Sequence, residues 1–77
     1  MIKKSMTIRG HRTSISLEAS FWAYLQTIAA SRGLAVSALV AEIDDRRSEW
    51  LMAGEYTGGL SSMIRVYLLE MALKNDD

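Results

Sequence analysis

The cleanest short period in the chain lies at residues 12–17, Arg-Thr-Ser-Ile-Ser-Leu, where Thr13, Ile15 and Leu17 alternate with Arg12, Ser14 and Ser16. Period two with β-branched residues on the less polar side predicts a strand. Ahead of it, Lys3, Lys4, Ser5, Arg9, Gly10 and His11 outnumber scattered Met and Ile, so residues 1–11 are expected to form a poorly ordered basic arm. Gly10 marks the break before the strand. A hairpin that folds residues 5–8 onto the strand is the weaker alternative, because those residues lack clean alternation.

The period then changes to 3.6. Phe21, Leu25, Ile28 and Ala29 make one stripe over residues 18–32, with Trp22 at its border. Glu18 stands near the positive end of that helix dipole. Gly33 fits the left-handed position that stops a helix, and Leu34 can pack back onto it. Over residues 35–51, Val36, Leu39, Val40, Ile43, Arg47, Trp50 and Leu51 continue a mixed apolar face. Glu42, Asp44, Asp45, Arg46 and Glu49 lie opposite. Residues 53–60 hold Gly54, Gly58 and Gly59 and read as a loop. Ser61 is expected to cap a third helix over about residues 61–74. Met63, Ile64, Val66, Tyr67, Leu68, Leu69, Met71, Ala72 and Leu73 make that helix apolar nearly all round.

These elements predict a mainly α fold with one strand, in four parts. They are a basic arm (1–11), a strand-helix-helix core (12–52), a glycine-rich loop (53–60), and an apolar helix with its tail (61–77). A solitary strand leaves half its backbone N–H and C=O groups without ladder partners. Pairing with its own copy across a two-fold axis closes that ladder. The apolar content points the same way. It reaches 49% in 77 residues, and a small domain buries only part of its surface by itself. A homodimer, or a tetramer built from it, is therefore expected. Its core would contain Thr13, Ile15, Leu17, Phe21, Leu25, Ile28, Leu39, Val40 and Ile43.

Charge alters this picture only through its distribution. Nine basic and nine acidic residues cancel. Residues 1–18 nevertheless hold Lys3, Lys4, Arg9 and Arg12 against Glu18 alone, so positive potential gathers at the amino end. There is no cysteine, which excludes disulfides and thiolate metal sites. No window approaches the roughly 20 apolar residues of a membrane span, and no signal sequence is visible. A cytoplasmic protein without a membrane partner is expected.

The run Arg12–Glu18, followed by Phe21-Trp22, Leu25, Ile28-Ala29, Arg32-Gly33-Leu34, Ser37, Leu39-Val40 and Ile43, resembles the ribbon-helix-helix family. The likeness is greatest to a bacterial branch of small members in which an apolar helix follows a segment like Leu60-Ser61-Ser62. It covers about residues 12–73. The resemblance implies a homodimer whose two strands form an antiparallel ribbon that reads double-stranded DNA in the major groove. Arg12, Ser14 and Ser16 then become the base-contacting positions. The start of the second helix, Ala35, Val36 and Ser37, becomes a phosphate grip, assisted by Lys3, Lys4 and Arg9. Ala35 departs from the pattern, since a capping Ser or Thr is common there.

Other chemistry is poorly supported. His11 has no second His or Cys for a metal site. Asp44 and Asp45 lie on the wet side of their helix. The glycines at 54, 58 and 59 are not followed by the Lys-Ser or Lys-Thr of a phosphate loop. Arg46 and Arg47 are expected to pair with Glu42 and Asp44. No catalytic constellation, metal or cofactor is expected. The leading expectation is a homodimeric DNA-binding transcription regulator. The alternative is a protein-interaction module, antitoxin-like or adaptor, that contacts its partner through residues 60–73.

Overall fold

The segment expected as a strand is β2 (His11–Leu17), and it has a partner within the chain. In the computed structural model, which describes residues 1–55 and 58–74, β1 (Ile2–Ile8) pairs antiparallel with β2 from Ile8 opposite His11 to Ile2 opposite Leu17. Only Arg9 and Gly10 lie between the strands, with φ of 51° and 82°. Two positive φ values in a two-residue loop give the turn whose twist matches the flanking strands. The expectations of a disordered arm over residues 1–11 and of a single unpaired strand are thereby corrected.

The local pattern hides this strand, and a distant side chain supports it. The turn is usually announced by Asn-Gly or Asp-Gly, and here it is Arg-Gly. In β1, Lys4 interrupts an inward row of Ile2, Met6 and Ile8. Trp22 makes that interruption tolerable. The Lys4 ammonium lies 5.0 Å from the Trp22 ring centroid, so its aliphatic stem can run along the sheet while its charge meets the ring. The Trp22 indole N–H donates to the Ile2 carbonyl at 2.8 Å. One aromatic side chain therefore holds the free end of β1.

After Glu18 the chain enters α1 (Ala19–Ser31), turns through Gly33 into α2 (Val36–Met52), and ends in α3 (Leu60–Lys74). The stop at Gly33 (φ 68°) has both bonds of a Schellman motif. Leu34 N–H donates to Ala29 O at 2.9 Å, and Gly33 N–H to Ala30 O at 3.1 Å. Gly54 closes α2 in the same way, with Glu55 and Gly54 donating to Trp50 and Leu51. Two of the loop residues between 53 and 60, Tyr56 and Thr57, lie outside the described residues, as does the tail at 75–77. Ser61 does not cap α3. That helix begins at Leu60, and the Gly59 carbonyl accepts from Met63 N–H.

β1 packs on α2 and β2 on α3, so the hairpin forms one layer over the three helices. Thirteen apolar residues are buried in one cluster: Ile8, Ile15, Leu17, Trp22, Leu25, Ile28, Ala29, Leu39, Val40, Ile43, Met63, Ile64 and Leu68. All but two of the residues expected in a dimer core are therefore buried within one chain. Thr13 and Phe21 are the exceptions, both half-buried. The apolar-area argument for a second copy fails because β1 and α3 supply the missing cover. On α1, Trp22 rather than Phe21 faces the core, since Trp22 is needed beneath the hairpin.

Candidate nucleic-acid interface

Strand alternation divides the hairpin into two faces. Ile8, Ile15 and Leu17 are buried on the helix side, with Met6 and Thr13 half-buried beside them. The register sets Lys3 opposite Ser16, Ser5 opposite Ser14 and Thr7 opposite Arg12 on the other side. Five of those six side chains are exposed, and Ser16 is half-buried. The Ser5 and Ser14 hydroxyls lie 3.3 Å apart. Beside them, Ser5, Arg12, Thr13 and Ser14 line a shallow depression of about 130 Å³. Lys3 and Thr7 are four positions apart along β1, about 13 Å at extended spacing. The face therefore has a cation near each end and hydroxyls between.

The ion pairs show which cations remain available. Arg9 pairs with Asp45, Arg32 with Glu42 at 2.7 Å, Arg46 with Glu70 at 2.6 Å, Arg47 with Asp44 at 2.9 Å, and Arg65 with Glu18 at 3.0 Å. Arg12 is the one arginine of the chain outside these pairs among the described residues, and Lys3 has no carboxylate partner either. The expected Arg47–Asp44 pair is present. Arg46 reaches α3 instead of Glu42, which is engaged by Arg32 across the helix junction. Four carboxylates beyond residue 18, Glu42, Asp44, Asp45 and Glu70, are thus engaged by arginines among the described residues. The positive excess at the amino end is concentrated on the hairpin.

The other expected phosphate contacts are more scattered. Lys4 lies over Trp22 on the inward side, and Arg9 is held at the turn by Asp45. Ala35 is the residue before α2, with no side-chain cap, and its carbonyl accepts from Ala38 and Leu39. Val36 and Ser37 open that helix with N–H groups that have no intrahelical acceptor. Thirteen residues of α1, about 20 Å at helical rise, separate this helix start from the end of the sheet that leads into α1. Glu18 is the residue that bridges sheet and helix. Its carboxyl is held below its ordinary value of 4.5, first by its own backbone N–H and then by the Arg65 guanidinium.

On this face, sequence reasoning misses Ser5 and Thr7 and expects Lys3 on a loose arm; the hairpin given as the weaker alternative is the arrangement that forms. The row Lys3, Ser5, Thr7 is itself a period-two signal, and it becomes legible once the turn at Arg9-Gly10 is recognised.

A family profile described as a ribbon-helix-helix domain matches residues 1–72. The chain belongs to the ribbon-helix-helix domain family. That match includes the hairpin and α3 as well as the strand-helix-helix segment. Ribbon-helix-helix domains generally form dimers and bind DNA, as transcription regulators or in antitoxin-like roles, and are typically without enzymatic activity. Neither the curated proteins nor the solved structures contain a significant match to this ribbon-helix-helix chain. Among its described residues no helix is long and apolar enough to cross a membrane.

Proposed function

We propose that this ribbon-helix-helix protein is a cytoplasmic homodimeric transcription regulator that lays the polar face of its ribbon in the major groove of DNA. The observation that carries the reading is the placement of Arg12. Among the described residues it is the arginine without a carboxylate partner, and it stands on the same exposed face as Lys3, Ser5, Thr7 and Ser14. A guanidinium free of partners can give two parallel hydrogen bonds to a guanine edge, and hydroxyls can donate or accept beside it. Lys3, and the amides of Val36 and Ser37 from the helix start, supply phosphate contacts. Salt titration of binding to duplex DNA tests this. Affinity should fall steeply with salt, and Arg12→Ala should cost about 1–3 kcal/mol. Absence of binding at low salt would end the proposal.

A second copy has a surface available. α1 and α3 enclose a mainly apolar groove of about 360 Å³ lined by Phe21, Tyr24, Arg65, Val66, Leu68, Leu69 and Ala72. Leu69 in its wall is 59% exposed, and Leu73, farther along α3, is 66% exposed. An exposed apolar patch of this kind suits a two-fold interface, in which the same surface of each copy meets the other. The same patch favours a second reading, in which it receives an unlike protein. Leu69→Glu with light scattering separates them: loss of a dimer supports self-association, whereas an unchanged monomer leaves the patch to another partner.

A further inference from the structure

We infer that β1 is an outer, phosphate-gripping strand: two copies join β2 to β2, and Lys3 and Thr7 of each β1 meet the sugar-phosphate backbone on either side of the groove. Base reading is thereby confined to Arg12, Ser14 and Ser16 of the central pair. This rests on the homodimeric DNA-binding reading above and divides its polar face into two tasks.

The ladder shows which edge is free. A two-residue loop is closed by a hydrogen-bonded pair, here Ile8 and His11, and such pairs alternate along the strands. Thr13, Ile15 and Leu17 therefore also bond to β1, whereas the N–H and C=O groups of Arg12, Ser14 and Ser16 point to the open edge of β2. Among the described residues the sheet has two strands, and no backbone bond outside the hairpin engages those three residues. An antiparallel twin centred on Ser14 sets Arg12 of each copy opposite Ser16 of the other, so no like charges meet. A two-fold axis through that centre, perpendicular to the sheet, keeps both polar faces on one side. β1 instead carries Lys3 and Lys4 in succession, and lysines on an edge strand oppose pairing.

Width then fixes the place of β1. Neighbouring strands lie about 4.8 Å apart, so the order β1-β2-β2-β1 puts about 14 Å between the outer strands. The major groove is about 12 Å wide and admits a two-stranded ribbon. The central pair enters it, and each β1 lies over a groove wall, where the phosphates run. The side chains of β1 suit that position. Lys3 is exposed and has no carboxylate partner among the described residues, and Thr7 is exposed beside Arg12. An ammonium and a hydroxyl are both ordinary phosphate donors. The Ser5 hydroxyl is already engaged with that of Ser14, 3.3 Å away. The outer strand is also tied down at both ends, by the Trp22 N–H to the Ile2 carbonyl and by the Arg9–Asp45 pair at the turn.

Two sets of variants test this in the full chain. Lys3→Ala and Thr7→Val remove the proposed phosphate donors, with Arg12→Ala as the base-reading comparison. Ser14→Pro removes an N–H that a twin strand needs and leaves the hairpin's own bonds intact, and Ser14→Ala controls for the lost hydroxyl. Binding to a panel of duplex sequences is measured by fluorescence anisotropy at several salt concentrations. Light scattering gives the oligomeric state, and circular dichroism checks folding.

Lys3→Ala should weaken binding uniformly across the panel and lower the salt slope by about 1 for each copy. Between roughly 50 and 200 mM salt the parent dimer should therefore lose about 12-fold more affinity than the variant. Thr7→Val should cost about 2- to 12-fold per site, again without a change of preference, whereas Arg12→Ala relaxes the preference at a base position. Ser14→Pro, unlike Ser14→Ala, should lose the dimer and its DNA binding. A change of base preference from Lys3→Ala or Thr7→Val, or an unchanged salt slope in Lys3→Ala, overturns the inference and leaves DNA binding standing. So does a folded Ser14→Pro that dimerises and binds like Ser14→Ala. If Ser14→Pro does not fold, the Lys3 and Thr7 variants decide. Failure of the unmodified protein to bind any duplex sinks the DNA-binding reading and this inference together.

Discussion

Gly10→Ala tests the turn on which the outer face depends. Gly10 has φ of 82°, a conformation that costs an L-residue about 1–2 kcal/mol through its Cβ and its own carbonyl. A Cβ built at Gly10 meets nothing within 4 Å, so no neighbouring clash adds to this. The substitution also removes freedom from the unfolded chain, which offsets about 0.4–1 kcal/mol. The net expectation is a loss of roughly 1 kcal/mol, or about 4–8 °C in melting temperature for a domain of this size. Gly10→Asn is the matched control, because Asn tolerates the left-handed region. It should melt close to the parent. Thermal unfolding by far-UV circular dichroism gives these values. Hydrogen exchange should show the Lys4, Met6 and Ile8 amides, which face β2 in the alternating ladder, protected in the parent and exposed sooner in Gly10→Ala. Equal melting temperatures for parent and Gly10→Ala, with those amides unprotected in both, would refute the hairpin and return residues 1–11 to a disordered arm.

The remaining predictions concern the supports of that face. Trp22→Phe removes the indole donor from the Ile2 carbonyl and should cost about 0.5–1.5 kcal/mol in urea unfolding, with loss of protection concentrated in β1. Ile15→Ala empties a site of 0% exposure at the centre of β2 and should cost about 2–5 kcal/mol, a large share of the 5–15 kcal/mol that holds such domains folded. The Glu18 carboxyl is held below 4.5 in the folded chain by its own backbone N–H and Arg65. Its contribution is thus present above that value and is lost as pH falls through the lowered native value. Melting temperatures measured from pH 7 down to acid should decline more in the parent than in Glu18→Gln; parallel declines would show that this pair does not contribute.

Where the sequence determined structure, it did so through periods and stops that are local. The alternation of residues 12–17 and the stripe Leu25, Ile28, Ala29 needed no tertiary contact to be read. Gly33 was equally legible, because a left-handed residue after a helix is a property of the backbone. The polar outward row Arg12, Ser14, Ser16 followed from the same alternation. Tertiary structure decided three things. It made residues 2–8 a strand, because Trp22 beneath the sheet accommodates Lys4 and binds the Ile2 carbonyl, a long-range contact invisible in local pattern. It chose carboxylate partners across helix junctions, Arg32 with Glu42 and Arg46 with Glu70, and so left Arg12 available. It also buried Met63, Ile64 and Leu68 against the other elements while leaving Leu69 and Leu73 outside. A helix apolar nearly all round carries little mark of which side the rest of the chain will cover, and packing against the sheet, α1 and α2 selects it.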